Sequence, residues 1–214
     1  MNGEDYYDQK LGFAHDSLLE TEVASHPLEQ LQAWLRQAIE LEDVPTAMVL
    51  ATSTFEGKPS ARTVLVKRID GQGIYFYTNY ESKKGKQLLQ NPFASACFFW
   101  PNLERQVVLE GQVHRLEDKE SDAYFKHCDE VQQLAAWAFP QSQPVISRKY
   151  VETLLADFKE DYQGSKEIPR PDNWGGYLLM PELVEFWQGR ANLAHDRLQY
   201  TLFNGEWKLE RLAP

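Results

Sequence analysis

The sequence predicts a mainly antiparallel β protein with flanking helices, closing as a barrel. Three observations carry this. Short β-branched and aromatic runs outnumber helical ones. The runs come in groups joined by turn sequences such as Glu56-Gly57, Asp70-Gly71 and Asn204-Gly205. Strands and helices do not alternate, which argues against a doubly wound parallel sheet.

The elements follow in order. Residues 1–26 show no period and read as an N-terminal arm, ahead of one domain over 27–214. PLEQLQAWLRQAIELE, from Pro27, places Leu28, Leu31, Leu35 and Ile39 at helical spacing, with Trp34 and Ala38 beside them. A proline suits the first turn of that helix. TAMVLATS and SARTVLVKR form a hairpin, and Ile74-Tyr75-Phe76-Tyr77 is a third strand. Ser82 caps a short helix, KKGKQLLQN, which stops at Pro92. ASACFFW and RQVVLEGQVHRL are longer strands, with Gly111 marking a bulge in the second. Three helical stretches follow: KESDAYFKHC, VQQLAAWAF and RKYVETLLADFKEDY. GYLLM, LVEFWQG, RLQYTLF and EWKLERL then read as four closing strands.

The 214 residues carry a net charge of −10, which opposes a general nucleic-acid or anionic-membrane surface but leaves room for a local anion site. Cys97 and Cys128 make no disulfide framework, and no metal-ligand spacing is present. The acidic start MNGEDYYDQK has no apolar run, and no segment is long enough to span a membrane, so a cytoplasmic protein is expected.

Ser82-Lys83-Lys84-Gly85-Lys86 carries the most chemistry. Lysines oppose the partial positive charge of a helix start, so their presence there fits a phosphate held by the free N–H groups; a solvated basic helix start is the plainer reading. Arg62 and Lys67 stand in an otherwise apolar run and need partners or a ligand. Strand alternation puts them on opposite faces. Gln141-Ser142-Gln143 offers uncharged donors and acceptors, or is simply a polar loop. Trp187 with His195-Asp196-Arg197 supplies a ring face, an imidazole and a guanidinium. Without a nucleophile elbow the His-Asp pair does not indicate a hydrolase, and without GxGxxG or a Walker loop nicotinamide and triphosphate readings have no anchor.

Taken together and in this order, PTAMVLAT, SARTVLVK, GIYFYTNYESKKGKQL, LERQVVLEG, WAFPQSQ and WGGY…EFWQG…HDRLQY…WKLERLAP closely resemble the pyridoxamine 5′-phosphate oxidase family, over nearly the whole chain after Pro27. The resemblance implies an FMN-binding split β-barrel homodimer. It implies that Arg62, Lys83, Lys84 and Ser142 meet the FMN phosphate. Tyr77, Thr78 and backbone between Thr63 and Lys67 seat the flavin, and Gln106, Gln141, Trp187 and Arg197 contact it at the interface. It also implies substrate contacts from Lys67, Tyr124 and His195, with Arg197 and His195 beside the reacting carbon. The implied reaction is oxidation of pyridoxine or pyridoxamine 5′-phosphate to pyridoxal 5′-phosphate, with dioxygen reduced to hydrogen peroxide.

The substrate side departs from the family pattern. Cys128 and Gln132 stand where an arginine and a serine grip the substrate phosphate, and Leu193 where an arginine closes over the ring. Lys126 and Arg190 are nearby cations able to compensate. Two other readings therefore stay open. One is a related flavin oxidase with a different ring substrate, as in phenazine-pathway members. The other is a non-catalytic flavin- or pyridoxal-phosphate-binding protein.

Overall fold

The computed structural model describes residues 17–162 and 167–214. The acidic segment at residues 4–10 lies outside them. The described residues divide into two compact units: 46–97 with 109–162 and 167–182, and 17–45 with 98–108 and 183–214.

The larger unit is built on a seven-strand path. Strands β1 (Ala47–Ser53) and β2 (Pro59–Leu65) form the first hairpin. Its turn uses Gly57 at φ 78°, a left-handed conformation that favours glycine. Strands β3 (Arg68–Asp70) and β4 (Gly73–Asn79) form the second hairpin. Then come α2 (Lys83–Gln90), β5 (Phe93–Trp100), β6 (Arg105–Arg115), the helices α3 (Asp118–His127), α4 (Glu130–Ala138) and α5 (Arg148–Asp161), and β7 (Trp174–Gln188). A helix before β1, α1, spans Pro27–Leu41. The strand order is β2-β1-β5-β6-β7-β4-β3.

The ends of this path are consecutive in sequence. The Val66 N–H donates to Thr46 O at 2.9 Å, still on the β1 side, while the Lys67 N–H donates to Tyr75 O at 2.8 Å, on the β4 side. One peptide thus passes the chain from one end of the path to the other. The expected single run through Lys67 therefore stops at Leu65. Lys67 occupies the crossover rather than the opposite face of Arg62's strand. Inside, Met48, Leu50, Val64, Ile74, Phe76, Ala96, Leu109 and Leu179 are buried. A satellite core of Phe125, Leu134 and Ile168 underlies α3 and α4.

Two expectations are corrected in β7 and α1. GYLLM and LVEFWQG are not separate strands: they are one fifteen-residue strand running through Pro181. Gly111 of β6 makes room for it, since a Cβ there would lie 2.0 Å from Met180 O and 2.7 Å from Pro181 Cα. Close backbone approach is therefore the reason for that glycine. In α1 the buried stripe is Leu28, Leu31, Trp34 and Ala38, while Ile39 is exposed. The large indole of Trp34 decides the rotation, packing edge-on to Phe186 at 5.1 Å with the Arg105 guanidinium 4.4 Å from its ring.

The smaller unit contains α1, the adjoining ends of β5, β6 and β7, and a terminal hairpin of β8 (Asp196–Phe203) and β9 (Glu206–Leu212). β8 pairs with the end of β7, Trp187 facing Arg197. The hairpin turn has φ 51° at Asn204 and 83° at Gly205, as a two-residue primed turn requires. Residues near both termini meet on β8: the Leu18 N–H donates to Asp196 Oδ2, and Arg211 bridges Glu20 and Asp196.

Candidate functional site

The larger unit holds a fixed cation pair. Arg62, on the inward side of β2, donates from one terminal nitrogen to Leu50 O at 2.9 Å and Thr52 Oγ1 at 2.7 Å. Its other terminal nitrogen donates to Ser60 Oγ at 2.6 Å. Both hydroxyls in turn donate to Gln87 Oε1, at 2.6 and 2.7 Å. Gln87 is buried one turn after Lys84 on α2, so it is the hub that orients Arg62. Lys84 Nζ donates to Thr78 Oγ1 at 3.0 Å and Gln141 Oε1 at 2.9 Å.

Every partner of Arg62 and Lys84 among the described residues is neutral; no carboxylate pairs with either. Burial first, and the Arg62 guanidinium second, lower Lys84 to about 8. Burial lowers Arg62 as well. Two fixed cationic groups, both disfavoured by burial and the lysine further by the guanidinium, form beside a helix N-terminus a site for a dianion. The helix start is built for close approach. Ser82 caps α2 by accepting from the Gly85 N–H at 3.3 Å, and a Cβ on Gly85 would meet Tyr80 O at 2.2 Å. Lys83 and Lys86 are exposed.

Beside this pair lies a cavity of about 270 Å³, lined by Lys67, Tyr77, Tyr124, Cys128, Gln132 and Trp174 among others. Three rings form a stack within it: Tyr77 on Tyr124 at 3.7 Å and 10°, and Tyr77 near Trp174 at 5.6 Å and 17°. Arg170 fixes two of these walls. It donates to Asp122 at 2.6 Å and Asp118 at 2.9 Å on α3, and to Trp174 O at 2.5 Å. Among the described residues that line the cavity, Lys67 is the one cation. Burial pushes the Cys128 thiol up against the opposing pull of Lys67, so it stays neutral at pH 7. Burial likewise pushes the Tyr124 phenol up to about 12. Lys126 turns away to Glu167, at 2.8 Å.

The smaller unit carries the remaining candidates apart from Ser142, which belongs to the larger unit. The Arg197 guanidinium grips Glu185 through two bonds, at 2.8 and 3.0 Å, and donates to Ala213 O at 2.9 Å. The rings of Trp187 and His195 lie 4.8 Å apart. Arg190 pairs with Asp196 at 3.6 Å. Leu193 is exposed with φ 60°, a strained conformation for leucine. Gln106 is half-buried on β6, and Ser142 is exposed with φ 67° in the loop after α4.

Thus Thr78, Lys84 and Gln141 form one hydrogen-bonded group, Arg62 sits in a second with Thr52, Ser60 and Gln87, and Lys67, Tyr77 and Tyr124 share one cavity. Reading the sequence missed Gln87, Trp174, Arg170 and Glu185. Gln87 had a usable signal: it stands three residues after Lys84, on the helix face shared with Leu88.

A strand path whose two ends are consecutive strands, helices packed on it and a cation pair at a helix start define the split β-barrel class. Solved structures agree. PhzG from Burkholderia lata, crystallised with tetrahydrophenazine-1-carboxylic acid, superposes with a TM-score of 0.86 at 29% identity, over 93% of this chain and 98% of that one. An FMN-binding protein from Nostoc punctiforme, 20% identical, shares the fold at a TM-score of 0.71, over 90% of this chain and 100% of that one.

Residues 29–159 match the pyridoxamine 5′-phosphate oxidase family, and residues 174–214 match the pyridoxine 5′-phosphate oxidase C-terminal dimerisation region. Curated relatives named pyridoxine/pyridoxamine 5′-phosphate oxidase include one from Synechocystis, 46% identical over 100% of both chains. Another, from Salinibacter ruber, is 49% identical over 97% of this chain and 98% of its own. The chain belongs to the pyridoxamine 5′-phosphate oxidase family.

Proposed function

We propose that the chain is an FMN-dependent oxidase that converts pyridoxine or pyridoxamine 5′-phosphate to pyridoxal 5′-phosphate and works as a homodimer. The observation that carries this reading is the Arg62–Lys84 pair, held rigidly by neutral acceptors and lacking a carboxylate among the described residues. An FMN phosphate supplies the missing negative charge. Lys83 and Ser142 complete the phosphate contacts in this reading, Tyr77 and Thr78 seat the ring system, and Gln106, Gln141, Trp187 and Arg197 add cofactor contacts. Bound FMN supplies the two-electron acceptor, and dioxygen takes the electrons onward to hydrogen peroxide.

The chain's own residues bind and orient the substrate. Lys67 and Tyr124 bring a charge and a phenol to the cavity, and the Tyr77–Tyr124–Trp174 stack shapes a slot for a flat ring. Glu185 holds the Arg197 guanidinium, leaving one N–H on each of its terminal nitrogens for cofactor or substrate. The dimer reading draws support from the larger unit's sheet. Val49, Ala61, Thr63 and Leu65 on neighbouring strands β1 and β2 are exposed and mostly apolar, a face suited to a second copy.

A second reading rests on one observation. Among the described lining residues Lys67 is the single cation, with the neutral Cys128 and Gln132 beside it, which suits a ring substrate without a phosphate. An anaerobic screen on FMN-loaded protein tests both. Flavin bleaching by pyridoxine or pyridoxamine 5′-phosphate, with pyridoxal 5′-phosphate formed as the flavin bleaches and peroxide formed on admitting air, supports the first. Bleaching only by non-phosphorylated rings supports the second. If neither class bleaches the flavin, the protein is a binding protein and not an oxidase.

A further inference from the structure

Two helices of the larger unit begin beside the site, and their first turns carry opposite charge. The start of α2 has a neutral cap, Ser82, followed by Lys83 and Lys84, with no acidic residue in the turn. The start of α4 has Asp129 as its cap, accepting from the Gln132 N–H at 2.7 Å, followed by Glu130. A helix N-terminus attracts an anion, and in α4 the chain's own carboxylate already takes that place. This start forms part of the cavity wall, because Cys128 and Gln132, which bracket Asp129 in sequence, both line the cavity.

Nearby cations are committed to other carboxylates. Lys126 pairs with Glu167 at 2.8 Å, and Arg170 with Asp118 and Asp122. Lys67 is the one cation among the described lining residues. The Cys128 thiol registers both charges: burial raises it most, Lys67 lowers it and Asp129 raises it again. A phosphate dianion entering the cavity therefore meets one ammonium and one carboxylate, with opposing effects. An unphosphorylated ring meets neither the gain nor the penalty, and the Asn79 and Gln132 amides offer it neutral hydrogen bonds. We propose that Asp129 sets the substrate range of the cavity: by holding the α4 start against a second anion, it lets an unphosphorylated pyridine alcohol or amine bind almost as well as its phosphate ester. Asp129 acts through the charge it places at the wall, which makes it a specificity-determining residue and not a catalytic one. This rests on the oxidase reading for the chemistry and extends its substrates, but the binding preference does not depend on turnover.

The test therefore uses ligands that cannot be oxidised. Calorimetry measures binding of 4-deoxypyridoxine and 4-deoxypyridoxine 5′-phosphate, which carry a methyl in place of the oxidisable hydroxymethyl, to FMN-loaded native protein and Asp129→Asn. Asparagine keeps the cap and removes the charge. In the native protein both analogues are expected to bind, the phosphate improving affinity by less than about tenfold, below the usual worth of a charged phosphate contact. Asp129 is exposed, so in Asp129→Asn the preference for the phosphate is expected to rise about threefold to tenfold, with affinity for 4-deoxypyridoxine and FMN unchanged. The oxidase reading fails separately, if pyridoxine 5′-phosphate leaves the flavin unbleached while the analogues bind as expected. A native preference of more than about tenfold, failure of the unphosphorylated analogue to bind, or the same preference in both proteins overturns the proposal.

Discussion

Replacing Lys84 with methionine is expected to move stability and cofactor affinity in opposite directions. In the protein without cofactor, Lys84 falls from the ordinary lysine value of 10.5 to about 8. At about 1.4 kcal/mol per tenfold, that fall corresponds to at most about 3 kcal/mol held against folding at neutral pH. The sign follows from proton counts. The unfolded chain binds the proton more tightly, so the cost grows as pH drops through 10.5 and is complete below about 8. Methionine removes it. It also removes two hydrogen bonds, to Thr78 and Gln141, each worth about 1 kcal/mol, although these two residues still bond each other at 2.8 Å. The net expectation for the apoprotein at pH 7 is a gain of about 1 kcal/mol, read by urea unfolding. FMN affinity, followed by quenching of flavin fluorescence, is expected to fall about tenfold to a hundredfold with the loss of one charged phosphate contact. An apoprotein destabilised by more than about 1 kcal/mol that binds FMN as before would refute the reasoning.

Three further outcomes are expected. FMN binding takes up protons between about pH 8 and 9, because the phosphate restores the charged form of Lys84, and the uptake fades toward pH 7; calorimetry in buffers of different ionisation enthalpy measures it. Gly85→Ala, which in a free helix would stabilise by about 1 kcal/mol, is expected to destabilise here and weaken FMN binding, because the Cβ would lie 2.2 Å from Tyr80 O; unchanged urea midpoints and FMN affinity would contradict this. Arg170→Ala removes the link from Asp118 and Asp122 to Trp174 O, with an expected loss of about 2–3 kcal/mol in urea unfolding. Its effect on substrate KM should exceed its effect on FMN affinity, since Arg170 orients the ring stack and does not touch Arg62 or Lys84.

Much of this was legible in the sequence where a local rule sufficed. Ser82 as cap, the lysines behind it and the stop before Pro92 are all read within one turn of helix, and the structure places α2 there. The Asn204-Gly205 turn is equally local. What failed depended on distant partners. The break in the run at Val66-Lys67 follows from which strand each N–H finds, Thr46 or Tyr75, and no periodicity encodes that choice. The continuity of β7 through Pro181 depends on Gly111, seventy residues earlier in the chain. At the site, charge pattern marked Arg62 and Lys84, but the role of Gln87 in orienting Arg62 shows only once its partners Thr52 and Ser60, on other strands, are known. Likewise only the geometry shows the adjacent His195 and Asp196 engaged with different groups.

The central claim is that a phosphate completes the Arg62–Lys84 pair, and comparing FMN with riboflavin tests it most directly, since the two differ only in that group. Two charged contacts of about 1.5–3 kcal/mol each predict that FMN binds more than about a hundredfold tighter, with the preference largely lost in the Arg62→Ala, Lys84→Met double variant. Equal affinity of the native protein for the two flavins would contradict the account.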